Sequence, residues 1–170
     1  MQEIVSYNHH TRVPRKAGQE LKNIYPNQPA SGATGIIWVY KIIEQKRLSE
    51  FKSKLINYYN RYFPKESNSI VVPNSSVFFA AFKNGEIVGA CRIITDFSRY
   101  ALLLDLIVRK KERRKGIGTQ LAKLACQYCQ KKRIKKLILT TDPRLNWLTK
   151  FYTKLGFKKI KNQTLMQFSS

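Results

Sequence analysis

The sequence predicts one α/β domain, built on a mixed central sheet of about six to seven strands flanked by helices. Three observations carry this. Leu48, Phe51, Leu55, Tyr58 and Tyr62 recur at spacings of three and four, which draws one apolar stripe along a helix. Two β-rich runs, Val77 to Phe82 and Glu86 to Thr95, flank Asn84-Gly85, a dipeptide suited to a tight hairpin turn. The apolar run Tyr100 to Val108 passes through a basic loop into a second helix, so the chain must cross over before the next strand.

The remaining elements follow in order. Residues 1–34 hold Pro14, Pro26, Pro29, Gly18 and Gly32 with little apolar periodicity, and read as an irregular N-terminal arm with one short helix around Gly18 to Ile24. Residues 35–170 form the folded domain. Ile36 to Tyr40 is a first strand, Glu44 to Tyr62 the first helix, and Pro64 stops it. The apolar character of Tyr100 to Val108 predicts a strand buried on both faces. Thr119 opens a helix bearing Leu121, Leu124, Ala125 and Tyr128, with Lys131 to Arg133 in its last turn, where the dipole favours cations. Leu137 to Thr140 is a short strand. Asp142 as N-cap and Pro143 at the first helical position start a last helix, ended by Gly156. Phe157 to Ile160 and Thr164 to Phe168 are expected to pair as a final antiparallel hairpin.

A chain of 170 residues, 43% hydrophobic, is enough for one core and too short for two ordinary domains. The first residues lack the charged-then-apolar layout of a signal peptide, and the longest apolar stretches are too short to span a bilayer, so a soluble cytoplasmic protein is expected, with no membrane partner. Three cysteines, Cys91, Cys126 and Cys129, make no disulfide framework. Cys126 and Cys129 stand one helical turn apart, but His9 and His10 are remote in sequence, and helix packing is the expected role; no metal site is assigned. Thirty-two basic residues against ten acidic ones give a net charge of +22. Such a field gathers anions, which points to RNA or another acidic partner; a lysine-rich composition with a merely solvated surface accounts for it equally well.

The chemistry sits between Leu102 and Tyr128. A strand enters a basic loop, then Gly116-Ile117-Gly118, then a helix. Glycines there let a ligand approach the backbone, the free N–H groups of the first turn point outward, and the helix dipole adds partial positive charge. Arg113, Arg114 and Lys115 surround this pyrophosphate cradle with mobile cations. A Walker A loop would require Gly-Lys-Ser/Thr, absent here, and a dinucleotide fingerprint a third glycine where Leu121 stands. A Gly-x-Gly can also be a tight turn serving only the fold.

Arg113-Arg114-Lys115-Gly116-Ile117-Gly118 resembles the Arg/Gln-x-x-Gly-x-Gly/Ala signature of GNAT acetyltransferases, and Phe151-Tyr152-Thr153-Lys154-Leu155-Gly156-Phe157 resembles that family's Phe-Tyr-x-x-x-Gly-Phe segment. The resemblance spans roughly residues 35 to 168. It implies a GNAT-like sheet splayed between its fourth and fifth strands, here Leu102–Val108 and Leu137–Thr140, with acetyl-CoA in the opening. Leu106, Ile107 and Val108 would then line its pantetheine arm, the loop from Arg113 to Thr119 its pyrophosphate, and Asn146 would contact it from the last helix, although Asn146 lies one residue closer to Tyr152 than the family's usual spacing. Tyr152 matches the tyrosine that donates a proton to the departing sulfur; as a plain aromatic on that helix it would serve the core. Some relatives carry a Glu base six residues before the position of Val108; here that residue is Leu102. Asp105 is the one acid in the strand, either binding or deprotonating the amine or pairing with Arg92 or Arg99, and water can also carry the proton away.

The activity expected is acetyl transfer from acetyl-CoA to a primary amine of a small molecule or protein. Alternatives are an RNA-directed enzyme acting on aminoacyl-tRNA or the ribosome, including a toxin that blocks translation, and a non-catalytic module of the same fold that binds nucleic acid. A homodimer through the N-terminal arm or the last strands is compatible with what the resemblance implies.

Overall fold

The structure, a computed structural model, describes residues 3–8, 38–66, 70 and 76–160. Seven strands form one sheet: β1 (Glu3–Asn8), β2 (Val39–Ile43), β3 (Ser76–Lys83), β4 (Glu86–Thr95), β5 (Tyr100–Val108), β6 (Lys136–Thr141) and β7 (Lys158–Lys159), in the order β2-β3-β4-β5-β6-β1-β7. Three α-helices are described: α1 (Gln45–Asn60), α2 (Ile117–Lys131) and α3 (Asn146–Lys154), with a single 3₁₀ turn at Lys110–Glu112. Every neighbouring pair is antiparallel except β5 and β6, the pair joined through the α2 crossover.

Two cores sandwich the sheet. On one face α1 lays Leu48, Phe51, Leu55, Tyr58 and Tyr59 on Phe78, Ala80, Phe82, Ile87 and Ala90. On the other, α2 lays Ile117, Leu121, Leu124 and Ala125 on Phe79, Ala81, Cys91, Ile93 and Leu103, with Tyr152 and Phe157 from the α3 region. Alternation along β3 feeds both cores, so each of its large side chains contributes about 1.5–3 kcal/mol on burial. The hairpin turn has Asn84 and Gly85 both at positive φ, 51° and 75°, the conformation of a tight turn matching the strand twist. The three cysteines are free and buried within the α2 core. Among the described residues no helix is long and apolar enough to cross a membrane.

Several expectations are corrected. The N-terminal arm is not irregular throughout: Glu3–Asn8 is a strand paired antiparallel with all of β6. Its Ile4-Val5 and Tyr7 carry β propensity that the prolines and glycines farther along the arm obscured. β7 pairs with β1, in place of the expected hairpin with Thr164 to Phe168, which lies outside the described residues, as does the helix expected around Gly18 to Ile24. β2 is placed at Val39–Ile43, shifted from the expected Ile36 to Tyr40, of which 36 and 37 are not described. The α2 helix begins at Ile117 with Gly116 at its cap, two residues before Thr119, because Gly116 takes the left-handed φ of 79° that turns the chain into the helix. The α3 helix starts at Asn146 and not at Pro143: Asp142 closes a turn of its own, accepting the Arg144 N–H at 3.0 Å on Oδ1 and the Leu145 N–H at 3.0 Å on its carbonyl. Finally, β5 is not buried on both faces. Leu102 is 36% exposed and residues from Leu104 to Val108 are only half-buried, since the sheet opens alongside them.

Candidate active site in the splay between strands 5 and 6

The opening is written in the register. β5 pairs with β6 only at Tyr100↔Lys136, Ala101↔Leu137 and Leu102↔Ile138. From Leu103 onward the two strands separate, while β6 stays bound to β1 along its other edge. This is the splay expected between Leu102–Val108 and Leu137–Thr140.

A bulge marks the departure point. Opposite β4 the register shifts between Ala90↔Ile107 and Arg92↔Leu104, so Cys91 faces the two residues Asp105 and Leu106. Asp105 adopts φ 54°, a left-handed conformation that Asp tolerates better than most residues. Its Oδ2 accepts from Arg92 Nε at 2.5 Å, and Arg92 Nη1 donates to the Ile70 carbonyl at 3.1 Å. Of the alternatives for Asp105, pairing with Arg92 is therefore present in the structure. The pair sits on the α1 side of the sheet with side chains 13% and 19% exposed.

Past the bulge, the Arg109 N–H donates to the Val88 carbonyl at 2.8 Å, so alternation turns the peptide groups of Leu106 and Val108 away from β4, toward the open edge. Ile107 is oriented differently from its neighbours: its peptide faces β4, its side chain packs on the α1 core, and its carbonyl accepts the Tyr58 hydroxyl at 2.8 Å. Tyr58 pins β5 from below at the splay. Its place in the apolar stripe of α1 marked it as core, and nothing in the sequence signalled the hydroxyl's reach.

The loop beyond β5 supplies the cradle. Arg113 Nε donates to the Val108 carbonyl at 3.0 Å, and Glu112 is buried between Lys83 Nζ at 2.7 Å and Lys115 Nζ at 2.9 Å. Those two hydrogen bonds, Lys83 first, hold the Glu112 carboxyl below its ordinary pKa. Arg114 adopts φ 64° and makes no ion pair among the described residues. The first intrahelical bond of α2 runs from the Gln120 N–H to the Gly116 carbonyl at 3.0 Å, which leaves the N–H groups of Ile117, Gly118 and Thr119 without helical acceptors. Ile117 buries its side chain and offers only its backbone, whereas Gly116 and the flanking cations are exposed. A Cβ on Gly116 would meet nothing within 4 Å, so space lies open in front of the turn.

Tyr152 projects from α3 into the same region. Its ring stands edge-on to Phe151 and Phe157, at 4.9 and 5.5 Å between centroids, and Phe151 in turn flanks Gly118. Among the described residues its hydroxyl has no hydrogen-bond partner. Burial, reinforced by Cys91 and Cys126, pushes the phenol well above its ordinary pKa, so it stays protonated at neutral pH. Asn146, the first residue of α3, is exposed.

These features fit acetyl-CoA: an open strand edge at Leu106 and Val108 for the amides of a pantetheine arm, and a glycine-capped helix start with three nearby cations for a pyrophosphate.

The profile of the Acetyltransferase (GNAT) family matches residues 40–157. No curated protein sequence matches the chain. Among solved structures, an aminoglycoside acetyltransferase, meta-AAC0020, from an uncultured soil metagenomic sample, in complex with sisomicin, superposes with a TM-score of 0.60 at 18% identity, over 78% of this chain and 95% of that one. Aminoglycoside N-acetyltransferase AAC(6')-Iy in complex with CoA gives 0.62 at 13% identity, over 82% and 100%. A predicted acetyltransferase with acetyl-CoA from Clostridium acetobutylicum gives 0.55 at 16%, over 77% and 96%. At these identities the structures speak to the fold, and the profile, reaching from β2 to the residue before β7, speaks to kinship: the chain belongs to the acetyltransferase (GNAT) family.

Proposed function

We propose that this protein is a cytoplasmic N-acetyltransferase that carries an acetyl group from acetyl-CoA to a primary amine. The observation that supports this most is the conjunction of the free peptide edge at Leu106 and Val108, the glycine-capped start of α2 with its free N–H groups, and the Tyr152 hydroxyl, which has no hydrogen-bond partner among the described residues.

Acetyl-CoA, when bound, supplies an activated thioester carbonyl. The Leu106 N–H, in the bulge, would donate to an oxygen that gains negative charge as an amine attacks, and a fixed backbone donor needs no reorganisation to do so. The N–H groups of Ile117, Gly118 and Thr119, with Arg114 and Lys115, hold the diphosphate. Arg113 would give up the Val108 carbonyl to a ligand amide and join them. Tyr152, kept protonated by burial, delivers its proton to a departing thiolate. Asp105 has one oxygen committed to Arg92 and no partner among the described residues for the other, which is left to hold an acceptor ammonium beside the bulge. Asn146 steadies the ligand from the start of α3.

The acceptor is a small amine or a protein amine of modest positive charge. Among the described residues Glu44, Glu50, Glu86, Asp105, Glu112 and Asp142 are each already ion-paired, which leaves Glu66 and Asp96 without a cation, so a polycation finds little uncompensated acid on this surface. The same excess of cations favours a second reading, an RNA-borne amine such as an aminoacyl-tRNA. Transfer of labelled acetyl from acetyl-CoA to a panel of a small amine, a lysine peptide and aminoacyl-tRNA tests both. Turnover on at least one, reduced in kcat by about tenfold or more in Tyr152→Phe, is expected. Equal turnover of parent and variant would remove the general-acid role, and no transfer to any amine despite acetyl-CoA binding would leave a non-catalytic module.

A further inference from the structure

We infer that a second anion site, distinct from the splay, lies under the loop that follows β5, and that it takes a phosphate group of a nucleotide or nucleic-acid strand. A cavity of about 680 Å³ opens there between the end of α1, the β3–β4 hairpin and the 3₁₀ turn. It lies on the β4 side of β5, whereas the splay lies along the opposite edge. Its walls carry Arg61, Lys83, Arg109, Lys110 and Lys111, with Tyr62 among them. Glu86 and Glu112 are its two carboxylates, so five cations against two anions leave three positive charges uncompensated. Glu112 is occupied by Lys83 and Lys115, and Glu86 by Arg109 Nη1 at 2.7 Å. Arg61, Lys110 and Lys111 make no ion pair among the described residues.

Among the described residues Arg109 Nε is buried and has no hydrogen-bond acceptor, while Nη1 of the same guanidinium holds Glu86, and Arg109 lines the cavity. A buried guanidinium N–H without an acceptor costs free energy, and an anion that draws the Arg109 side chain toward the cavity would give it one. A residual charge of three exceeds what one carboxylate neutralises and suits phosphate, which carries about −1.5 to −2 at neutral pH as a terminal monoester and one negative charge at each diester of a strand. Guanidinium groups at Arg61 and Arg109 match its oxygens in geometry. The volume falls within the range of about 300–1,000 Å³ that small ligands fill, and Tyr62 offers an aromatic ring on which a base can stack. This site stands whether or not the proposed acetyl transfer is correct, because it shares none of the residues assigned to the transfer.

The experiment is fluorescence anisotropy of a short labelled single-stranded RNA at low and moderate salt, with inorganic pyrophosphate and coenzyme A as competitors. The variants are Arg61→Ala/Lys110→Ala/Lys111→Ala and, with the same loss of charge elsewhere, Lys46→Ala/Lys52→Ala/Lys135→Ala; melting curves confirm that both fold. The first triple should weaken RNA binding by about tenfold or more and lower the salt slope by about two, three lost contacts at about 0.7 each, and the second should change both far less. Displacement by pyrophosphate identifies a small phosphorylated occupant, and resistance to it a nucleic-acid backbone; both support the site. Equal binding by the two triples, displacement of RNA by coenzyme A that is equally strong in the parent and the first triple, or no binding of RNA or pyrophosphate at low salt would overturn it.

Discussion

Gly89 on β4 packs tightly against the start of α2, and replacing it with Ala tests how the cradle is held. A Cβ built there would lie 2.9 Å from Ile117 Cγ2, 3.1 Å from Leu121 Cδ1 and 3.4 Å from Val108 Cγ2. Leu121 can swing its terminal methyl aside. Ile117 cannot: it is β-branched, its χ1 is nearly fixed in a helix, and it is the first residue of α2 and 1% exposed. The helix start must therefore rise from the sheet. Overpacking of this kind costs about 1–3 kcal/mol, and the rigid Ile117 contact argues for about 2. For a domain of this size that lowers Tm by roughly 4–8 °C. Gly118→Ala is the comparison. Its Cβ would meet Val108 Cγ2 at 3.6 Å and Phe151 Cζ at 3.9 Å, ordinary contacts, inside a helix where Ala is favoured by about 0.5–1 kcal/mol. Scanning calorimetry should thus show Gly89→Ala melting lower than the parent and Gly118→Ala slightly higher. A Gly89→Ala protein as stable as the parent, or both variants moving together, would refute this account of the contact between β4 and α2.

Asp105→Asn should lower stability by about 1–3 kcal/mol in urea denaturation, because the half-buried Arg92 loses its counter-charge, and Asp105→Ala should cost more by the strain of an alanine at φ 54°. Lys83 and Lys115 depress the Glu112 carboxyl below its ordinary 4.5, so its contribution to stability is full above that value and is lost as pH falls through the lowered one; melting curves of the parent should fall more steeply below about pH 4.5 than those of Glu112→Gln. Burial pushes the Cys126 and Cys129 thiols up to about 12, and Cys91 higher, so a thiol reagent at pH 8 should label none of them in native protein and all three after denaturation; rapid native labelling would show that the α2 core opens.

Local patterns made much of this fold legible. The stripe from Leu48 to Tyr62, the Asn84-Gly85 turn and the run Tyr100 to Val108 each reflect a single element's own periodicity, and each lies where the pattern places it. What escaped depends on partners distant in sequence. Glu3–Asn8 has β propensity at Ile4, Val5 and Tyr7, but nothing within its six residues says that it joins the edge of β6. Asp142-Pro143 has the chemistry of a helix start, yet Asp142 satisfies Arg144 and Leu145 first, and the helix waits until Asn146. In the site, the Gly-x-Gly loop announces itself because its chemistry is local. The bulge at Asp105, the Tyr58 bond to Ile107 and the bridge by Glu112 between Lys83 and Lys115 join residues 13, 49 and 29 apart in the chain, taking the Arg92, Tyr58 and Lys83 bonds in turn, and become visible only in three dimensions.

The central claim, that the splay and the α2 start bind acetyl-CoA, is tested most directly by titrating acetyl-CoA into the protein in a calorimeter, with Gly116→Glu alongside. Gly116 caps α2 at φ 79°, so a glutamate there brings backbone strain and a carboxylate to the place of the diphosphate. The account predicts saturable binding at one site per chain, abolished in Gly116→Glu while both proteins melt cooperatively. No heat of binding to the folded parent, or equal binding by the variant, would contradict it.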